Sequence, residues 1–212
     1  MTPDDISFLH VDAALIVIVK PGGMPAVPGR GEALQDCAAS RVQGRYPDAL
    51  VVHRLDMATS GLLLLARGPA AQRHLSRQFA QREVGKTYVA VVAGRLTLSE
   101  GEIDLPLAAD WPSRPKQKVD AEHGKPSLTR YRRLAVDPAH DSSRLELTPV
   151  TGRSHQLRVH LFAIGHPILG DALYAPPAVQ AMAPRLLLHA QALGFAHPKT
   201  GEPLRFESAP PF

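Results

Sequence analysis

An uninterrupted apolar run, LLLLA at 62–66, constrains the fold most, because it comes directly after the segment HRLDMATSG at 53–61. A short apolar run bounded by turn residues is typical of a buried strand. The turn before the run therefore lies beside the core, and it brings one carboxylate, that of Asp56. Burial alone would raise the pKa of this carboxyl and neutralise it. We therefore expect Asp56 to be paired with an arginine, either Arg54 or one that is distant in sequence.

A second segment, TGRSHQLRVH at 151–160, contains the best distant candidate. Here Arg153 follows a glycine, and Ser154 opens a helical pattern. A guanidinium can hold a carboxylate through two parallel hydrogen bonds, which a lysine cannot reproduce. We expect Arg153 to hold Asp56 charged and oriented. A phosphate-binding or surface arginine is the alternative.

Apolar periodicity predicts more strands than helices. One helix is predicted over 69–82, opened by Pro69, and another runs from about Ser154 to Gly165. Strands are predicted at 14–19, 62–66, 88–92, 102–107, 129–136, 144–147 and 186–190. Few of these strands are joined by crossover helices, so we expect the fold class α+β with a mostly antiparallel mixed central sheet. A hydrophobic content of 44% in 212 residues suffices for one large domain.

Positive charge is concentrated in two regions of a chain whose net charge is +4. The cations of these regions are Arg67, Arg73, Arg77 and Arg82, followed by Arg114, Lys116, Lys118 and Lys125. Two basic regions indicate a polyanionic partner. For the first group, the solvated face of a helix is an equally good interpretation. The cations of the loop 111–119 are harder to explain that way.

Cys37 is the only cysteine, which excludes an intramolecular disulfide and any pair of cysteine ligands for a metal. The N-terminal residues lack the basic and then hydrophobic pattern of a signal peptide. No apolar run approaches the roughly 18 residues of a membrane span. We therefore expect a soluble cytoplasmic protein.

Familiar cofactor and hydrolase motifs are missing from the sequence. His155 and His160 are five residues apart on the predicted helix, so they point to different faces and do not form a metal pair. Ser60 and Ser154 lack the Gly-x-Ser-x-Gly elbow of a hydrolase. The glycines near Gly22 lack the spacing of a nucleotide-binding loop. We predict that the protein uses neither a metal nor a cofactor.

Four segments together resemble the RluA-type pseudouridine synthases, and they occur in that family's order. They are KPGGMPAVPG at 20–29, the Asp56 segment at 53–61, KTYVA at 86–90 and the Arg153 segment at 151–160. A fifth, DWPSRPKQKV at 110–119, resembles the subgroup of ribosomal large subunit pseudouridine synthases A, which lack an N-terminal S4 domain. About twenty residues precede the first segment, too few for such a domain. We expect one catalytic domain over 1–212.

The resemblance implies an isomerase that detaches uracil from its ribose at N1 and rejoins it through C5. It also implies a long central sheet flanked by helices and loops, with the active cleft along it. Asp56 matches the family's essential catalytic carboxylate, which either attacks the sugar or takes a proton from it. Standing alone, an Asp before Thr-Ser-Gly would be interpreted as a turn or a helix cap.

Three further site residues follow from the same resemblance. Tyr88 matches the active-site tyrosine, whose ring can stack on the uracil and whose hydroxyl can help to remove the C5 proton. Arg54 matches the side chain that takes the place of the extruded base. Leu157 matches the apolar wall beside the base. A core aromatic, a local salt bridge and ordinary core packing are the respective alternatives.

The loop 111–119 is expected to bind RNA. Arg114, Lys116 and Lys118 are spaced to meet successive phosphates, whereas Trp111 either stacks on a base or anchors the loop in the core. The subgroup resemblance implies two substrates, a 23S rRNA hairpin loop and the anticodon stem-loop of tRNA. Gly22 stands where close relatives are expected to have serine, which affects loop shape more than chemistry.

Two other classes of function compete with this interpretation. A non-catalytic RNA-binding protein would not need Asp56, Tyr88 and Arg153 together. A glycoside or sugar-phosphate hydrolase ordinarily needs two carboxylates, and the sequence offers no second one to work with Asp56. We expect a monomer without protein partners.

Overall fold

The computed structural model describes residues 6–29 and 31–212, which form two compact units. The first unit comprises the chain up to Lys86 together with Ala190–Pro211. The second comprises Thr87–His189 together with Phe212. The chain passes between the units within two strands, β5 (Gly85–Ala93) and β11 (Leu188–Ala196).

The first unit is built on a sheet in which β1, β2, β4 and β11 are successive neighbours. Strand β3 pairs with β4, and β12 pairs with β11. Its other elements are β1 (Ser7–Val11), β2 (Leu15–Lys20), α1 (Ala38–Arg45), β3 (Ala49–Val51), β4 (Ser60–Arg67), α2 (Gly68–Gln81), β12 (Pro203–Glu207) and a 3-10 helix (Glu32–Leu34). The pairs β1–β2, β2–β4, β3–β4 and β11–β12 are antiparallel.

The apolar run 62–66 forms the middle of β4, where successive side chains point to opposite faces and every one is buried. Leu62 and Leu64 pack in one cluster with Leu15 of β2 and Leu75 of α2. Because both faces of β4 are buried, its sequence is a continuous apolar run and does not alternate between apolar and polar residues. Burial of each leucine side chain contributes about 1.5–3 kcal/mol to the free energy of unfolding.

Gly61 allows β4 to approach β11 closely. Its φ is 115°, and a Cβ at this position would lie 2.3 Å from the carbonyl oxygen of Ala190. Any side chain here would collide with backbone, which cannot move aside cheaply. The glycine that ends the Asp56 segment is therefore required by the sheet itself.

The second unit has a four-stranded antiparallel sheet in the order β5, β10, β9, β6, and a separate antiparallel hairpin of β7 and β8. Its elements after β5 are β6 (Glu100–Asp104), β7 (Leu107–Ala109), a 3-10 helix (Trp111–Ser113), β8 (Gln117–Val119), β9 (Leu128–Asp137), β10 (Ser142–Pro149), α3 (Gln156–Ala163) and α4 (Pro177–Gln180). Strand β8 lies against α3.

These elements confirm the predicted α+β class with a mostly antiparallel sheet. The strand predicted at 102–107 is wrong in its extent, because it is divided into β6 and β7. Pro106 lies at the break and has no N–H to donate to a ladder. Strand β11 also begins later than the predicted 186–190. Sequence patterns missed β1, β3, β8, β12, α1 and α4, which are short or half-exposed and therefore lack a clear period.

Among the described residues, no helix combines the length and the apolar character needed to cross a membrane.

Candidate active site

Arg54 and Asp56 lie on the loop 52–59, which joins β3 to β4 in the first unit. Asp56 is half-buried and Arg54 is exposed. The N–H of Thr59 donates to the carbonyl of Asp56 at 3.1 Å, and the N–H of Gly23 donates to the carbonyl of Met57 at 2.8 Å. The backbone carbonyls of Asp56 and Met57 are thus held by Thr59 and by the 20–29 segment, which fixes the path of the loop directly after the carboxylate.

The buried ammonium of Lys20 also stabilises this loop. Lys20, at the end of β2, is fully buried, and its Nζ donates to the carbonyls of Pro21 at 2.8 Å, Met24 at 2.8 Å and Met57 at 3.1 Å. A buried charge is tolerated where its donors meet acceptors. The ammonium therefore joins the 20–29 segment to the loop that carries Asp56.

His53 anchors the other end of the loop to β4. Its Nε2 accepts the N–H of Leu64 at 2.9 Å, and its ring stacks on Phe79 with centroids 4.4 Å apart. Burial, and then the positive charge of Lys86, lower the pKa of His53 to about 3. The imidazole is therefore neutral with its proton on Nδ1, since Nε2 acts as the acceptor.

Tyr88 lies on β5 in the second unit, opposite Leu147 of β10, and is half-buried. Lys86, two residues earlier on the same strand, belongs to the first unit. Burial, and then the charge of Arg82, lower the pKa of Lys86.

Gln156 organises the segment that contains Arg153. Its Oε1 accepts the hydroxyl of Thr151 at 2.7 Å and the N–H of Arg153 at 3.0 Å. Its Nε2 donates to the carbonyl of Leu128 and to Oγ1 of Thr129, both at 3.0 Å. Both ends of a buried amide are thus satisfied, and the backbone of Arg153 is held to β9.

Arg153 itself is exposed, and its Nε lies 3.4 Å from the carbonyl oxygen of Pro126. Leu157, one turn later on α3, is buried at 7% exposure. Arg153 is therefore exposed just before α3, whereas Leu157 is buried in the first turn of that helix. Asp56 lies in the first unit and Arg153 in the second, and their pairing stays a prediction.

The loop 111–119 carries three cations and a tryptophan that faces solvent. Trp111 is 65% exposed, so the prediction that it might anchor the loop in the core is wrong, because the 3-10 helix turns the ring outward. The guanidinium of Arg114 lies 3.8 Å from the centre of the indole ring. Lys118 forms an ion pair of 3.4 Å with Asp120, and Lys116 is partly exposed.

His160 uses both ring nitrogens within the fold. It is fully buried; Nδ1 lies 2.9 Å from Oγ1 of Thr129, and Nε2 lies 3.0 Å from the carbonyl of Leu105. Because a carbonyl only accepts, the ring proton is on Nε2. Burial lowers the pKa of His160, which favours this neutral form. In the part of the chain that the structure describes, no group of three His, Cys, Asp or Glu side chains is placed to hold a metal.

Sequence reasoning missed the residues that position the site rather than act in it. Lys20, His53 and Gln156 all lie inside the recognised segments, so their places there were the available signal. What their side chains bind depends on distant backbone, which no local pattern reveals.

Comparison with known proteins identifies relatives of the whole chain. The sequence model of a protein family described as RNA pseudouridylate synthase matches residues 14–163. The chain is 53% identical to the dual-specificity RNA pseudouridine synthase RluA of Yersinia pestis over 199 residues, which cover 94% of this chain and 96% of that protein. It is 52% identical to the protein of the same name from Escherichia coli K12 over 204 residues, with coverages of 96% and 93%.

Solved structures agree with the sequence relatives. Human RNA Pseudouridylate Synthase Domain Containing 1 superimposes with a TM-score of 0.82 at 29% identity, and the match covers 100% of this chain and 86% of the human one. Fold and sequence thus define an RNA-modifying isomerase. The chain belongs to the RNA pseudouridylate synthase family, as its four segments predicted.

Acid should weaken the first unit through His53. The unfolded chain takes up a proton on this imidazole near its ordinary pKa of about 6.5, whereas the folded protein resists protonation until a pH of about 3. His53 therefore contributes its full stabilisation above a pH of about 6.5. As the pH falls from there to about 3, the free energy of unfolding decreases by up to about 1.4 kcal/mol per pH unit. Urea unfolding at a series of pH values measures the slope. His53→Gln keeps an acceptor for Leu64 and should show a shallower slope; equal slopes would contradict the assignment.

Gln156→Glu should both destabilise the second unit and slow the reaction. A carboxylate cannot donate to Leu128 or Thr129, so a buried carbonyl loses its partner and the unfolding free energy falls by about 1–3 kcal/mol. The same change loosens the backbone of Arg153. Chemical unfolding and the rate of pseudouridine formation test this together. Gln81→Glu, at an exposed position at the end of α2, makes the same change of charge; it is the matched control and should change neither quantity appreciably.

Proposed function

We propose that this protein converts specific uridines to pseudouridine in two structured RNAs, a 23S rRNA hairpin loop and the anticodon stem-loop of tRNA. The observation that carries the proposal is the anchored loop with Asp56, tied to β4 by His53 and to the 20–29 segment by Lys20. The dual specificity named for the Yersinia and Escherichia relatives supports two substrates. The segment 110–119 supports the same subgroup.

The reaction needs no external reactant. The bond between N1 of uracil and C1′ of ribose breaks, the base turns, and a bond from C5 to C1′ forms; N1 gains a proton and C5 loses one. Asp56 serves either by bonding to C1′ as uracil departs, until C5 displaces it, or by taking a proton from the sugar. Either route is a net isomerisation, which is consistent with our expectation that no cofactor takes part.

Arg153 and Tyr88 complete the proposed catalytic group. A guanidinium paired with Asp56 would keep that carboxylate ionised, and the exposed side chain on a firmly held backbone suits this role. Tyr88 would stack on the uracil and help to remove the C5 proton. Leu157, buried at the start of α3, would contribute to the apolar wall beside the base.

Arg54 is proposed to stabilise the extruded state of the target uridine. A base within a stem or a structured loop must leave its stack to be modified, and a planar guanidinium can occupy the vacated place. Arg54 is exposed and lies two residues from Asp56 on the anchored loop, so it would enter the RNA beside the reacting base.

Arg114, Lys116 and Lys118 are proposed to bind phosphates of the folded stem-loop, and Trp111 to stack on a base. An exposed tryptophan with a guanidinium 3.8 Å above its ring offers a flat cationic surface, which suits an unpaired nucleotide. We further propose that the protein acts as a monomeric catalytic domain in the cytoplasm, where its rRNA and tRNA substrates are.

Asp56→Asn should fold and bind RNA yet form no pseudouridine, because the amide keeps the shape of the carboxylate but loses its charge and its nucleophilicity. Release of tritium from transcripts labelled at C5 of uridine measures the reaction. Asp141→Asn, on an exposed turn where the carboxylate meets Arg95, serves as the control. Retention of more than a few per cent of wild-type activity by Asp56→Asn would remove the carboxylate from catalysis.

Replacing Arg114, Lys116 and Lys118 together by alanine should weaken RNA binding. Each lost phosphate contact should reduce the log–log dependence of affinity on salt by roughly 0.7 to 0.9. Filter binding over a range of salt concentrations provides both the affinity and the slope for each stem-loop.

A matched control removes three cations that are already ion-paired on the surface. Arg130, Arg132 and Arg205 contact Glu102, Glu146 and Glu207. Their replacement by alanine changes the net charge equally and should affect affinity far less. Equal losses in the two triple variants would show that net charge, and not the loop, attracts the RNA.

A further inference from the structure

The segment after α3 is held rigidly by a buried ion pair. Arg158 and Asp171 are 4% and 1% exposed, and Nε and Nη2 of the arginine donate to the two carboxylate oxygens at 2.8 and 2.6 Å. Oδ1 of Asp171 also accepts the N–H groups of Leu173 at 2.9 Å and Tyr174 at 3.3 Å. The position of the Tyr174 backbone is therefore set by α3.

The Tyr174 side chain then extends between two functional segments. Its ring lies over the guanidinium of Arg158, 5.1 Å from the centroid, and meets His155 edge-on. Its hydroxyl oxygen lies 2.8 Å from the backbone nitrogen of Gln117 and 2.6 Å from Nδ1 of His155. Because a backbone N–H can only donate, the oxygen accepts from Gln117, and the hydroxyl proton is available to Nδ1.

Both partners of this hydroxyl belong to segments with a proposed role in RNA modification. Gln117 stands between Lys116 and Lys118, and His155 lies two residues after Arg153. The other backbone hydrogen bonds that shape the loop, such as Asp110 to Lys116, Lys116 to Ser113 and the pairing of β8 with β7, lie within this hairpin. They define the shape of the loop but not its place on α3.

We propose that Tyr174 is a positioning residue that holds the basic loop 111–119 in register with the segment of Arg153. With the Tyr174 hydroxyl in place, the cations of the loop lie at a fixed distance from Arg153, so both can meet the RNA at once. Without it, the loop keeps its charges but must be ordered by the RNA itself, which weakens binding. The proposal rests on the function proposed above for these two segments.

Tyr174→Phe tests the proposal, because it deletes the hydroxyl and keeps the ring over Arg158. We expect the KM for each stem-loop to rise about 3- to 10-fold, the effect of one or two hydrogen bonds, with a smaller fall in kcat. Amide exchange at Gln117 should become faster, whereas that at Leu173, which donates to Asp171, should not. Tyr131→Phe removes a hydroxyl from β9 of the same unit and should do neither. An unchanged KM, or a loss in kcat alone, would overturn the proposal.

A double-mutant cycle separates this proposal from the function on which it rests. If Tyr174 acts through the loop, adding Tyr174→Phe to the triple alanine variant of Arg114, Lys116 and Lys118 should raise KM no further. If the fold-changes in KM of the two variants multiply in full, Tyr174 does not act through the loop. Should the triple variant bind RNA as well as the wild type does, the RNA-binding role of the loop fails; should the wild type release no tritium from any transcript, the proposed activity fails.

Discussion

The hydrogen bonds of the buried Lys20 ammonium are the interaction on which the first unit's site depends. Its acceptors come from two separate stretches of chain, the turn that follows β2 and the residue directly after Asp56. Removing a charge from water costs several kcal/mol unless it is fully compensated. The loop of Asp56 therefore cannot shift without leaving part of that charge unsatisfied. His53 adds a second restraint through β4, and it does so only as a neutral ring.

The second unit solves the same problem with different chemistry. A buried amide, that of Gln156, uses both of its ends to hold the Arg153 segment on β9. A buried ion pair between Arg158 and Asp171 holds the next segment and, through Tyr174, reaches the basic loop. In both units the charged and aromatic residues proposed to touch RNA are exposed or half-buried, while hydrogen-bonded polar groups buried in the same units supply the rigidity. This arrangement suits a site that must be preorganised and still accessible to a macromolecule.

Sequence patterns predicted the elements with a continuous or periodic apolar pattern and missed short or half-exposed ones that lack such a pattern. The leucine run of β4 and the helix after Pro69 were found because burial imposes a continuous or periodic apolar pattern. Strand β8 carries no such pattern, since it is exposed at Lys118 and Val119 and forms a short hairpin with β7. Pro106 divided a strand that alternation alone made continuous. The sequence was compatible with Trp111 in the core or at the surface, and the structure shows that it is exposed to solvent.

By itself, the sequence determined the family, the class of reaction and the identity of the candidate site residues, because these follow from side-chain chemistry at characteristic spacings within short segments. The tertiary structure decided what positions them. Lys20 meets Met57 across 37 residues of chain, and Gln117 meets Tyr174 across 57. The protonation state of His53 likewise depends on what surrounds its ring. Such contacts and burial arise only when segments that are distant in sequence pack together, so they cannot be predicted from a local pattern of residues.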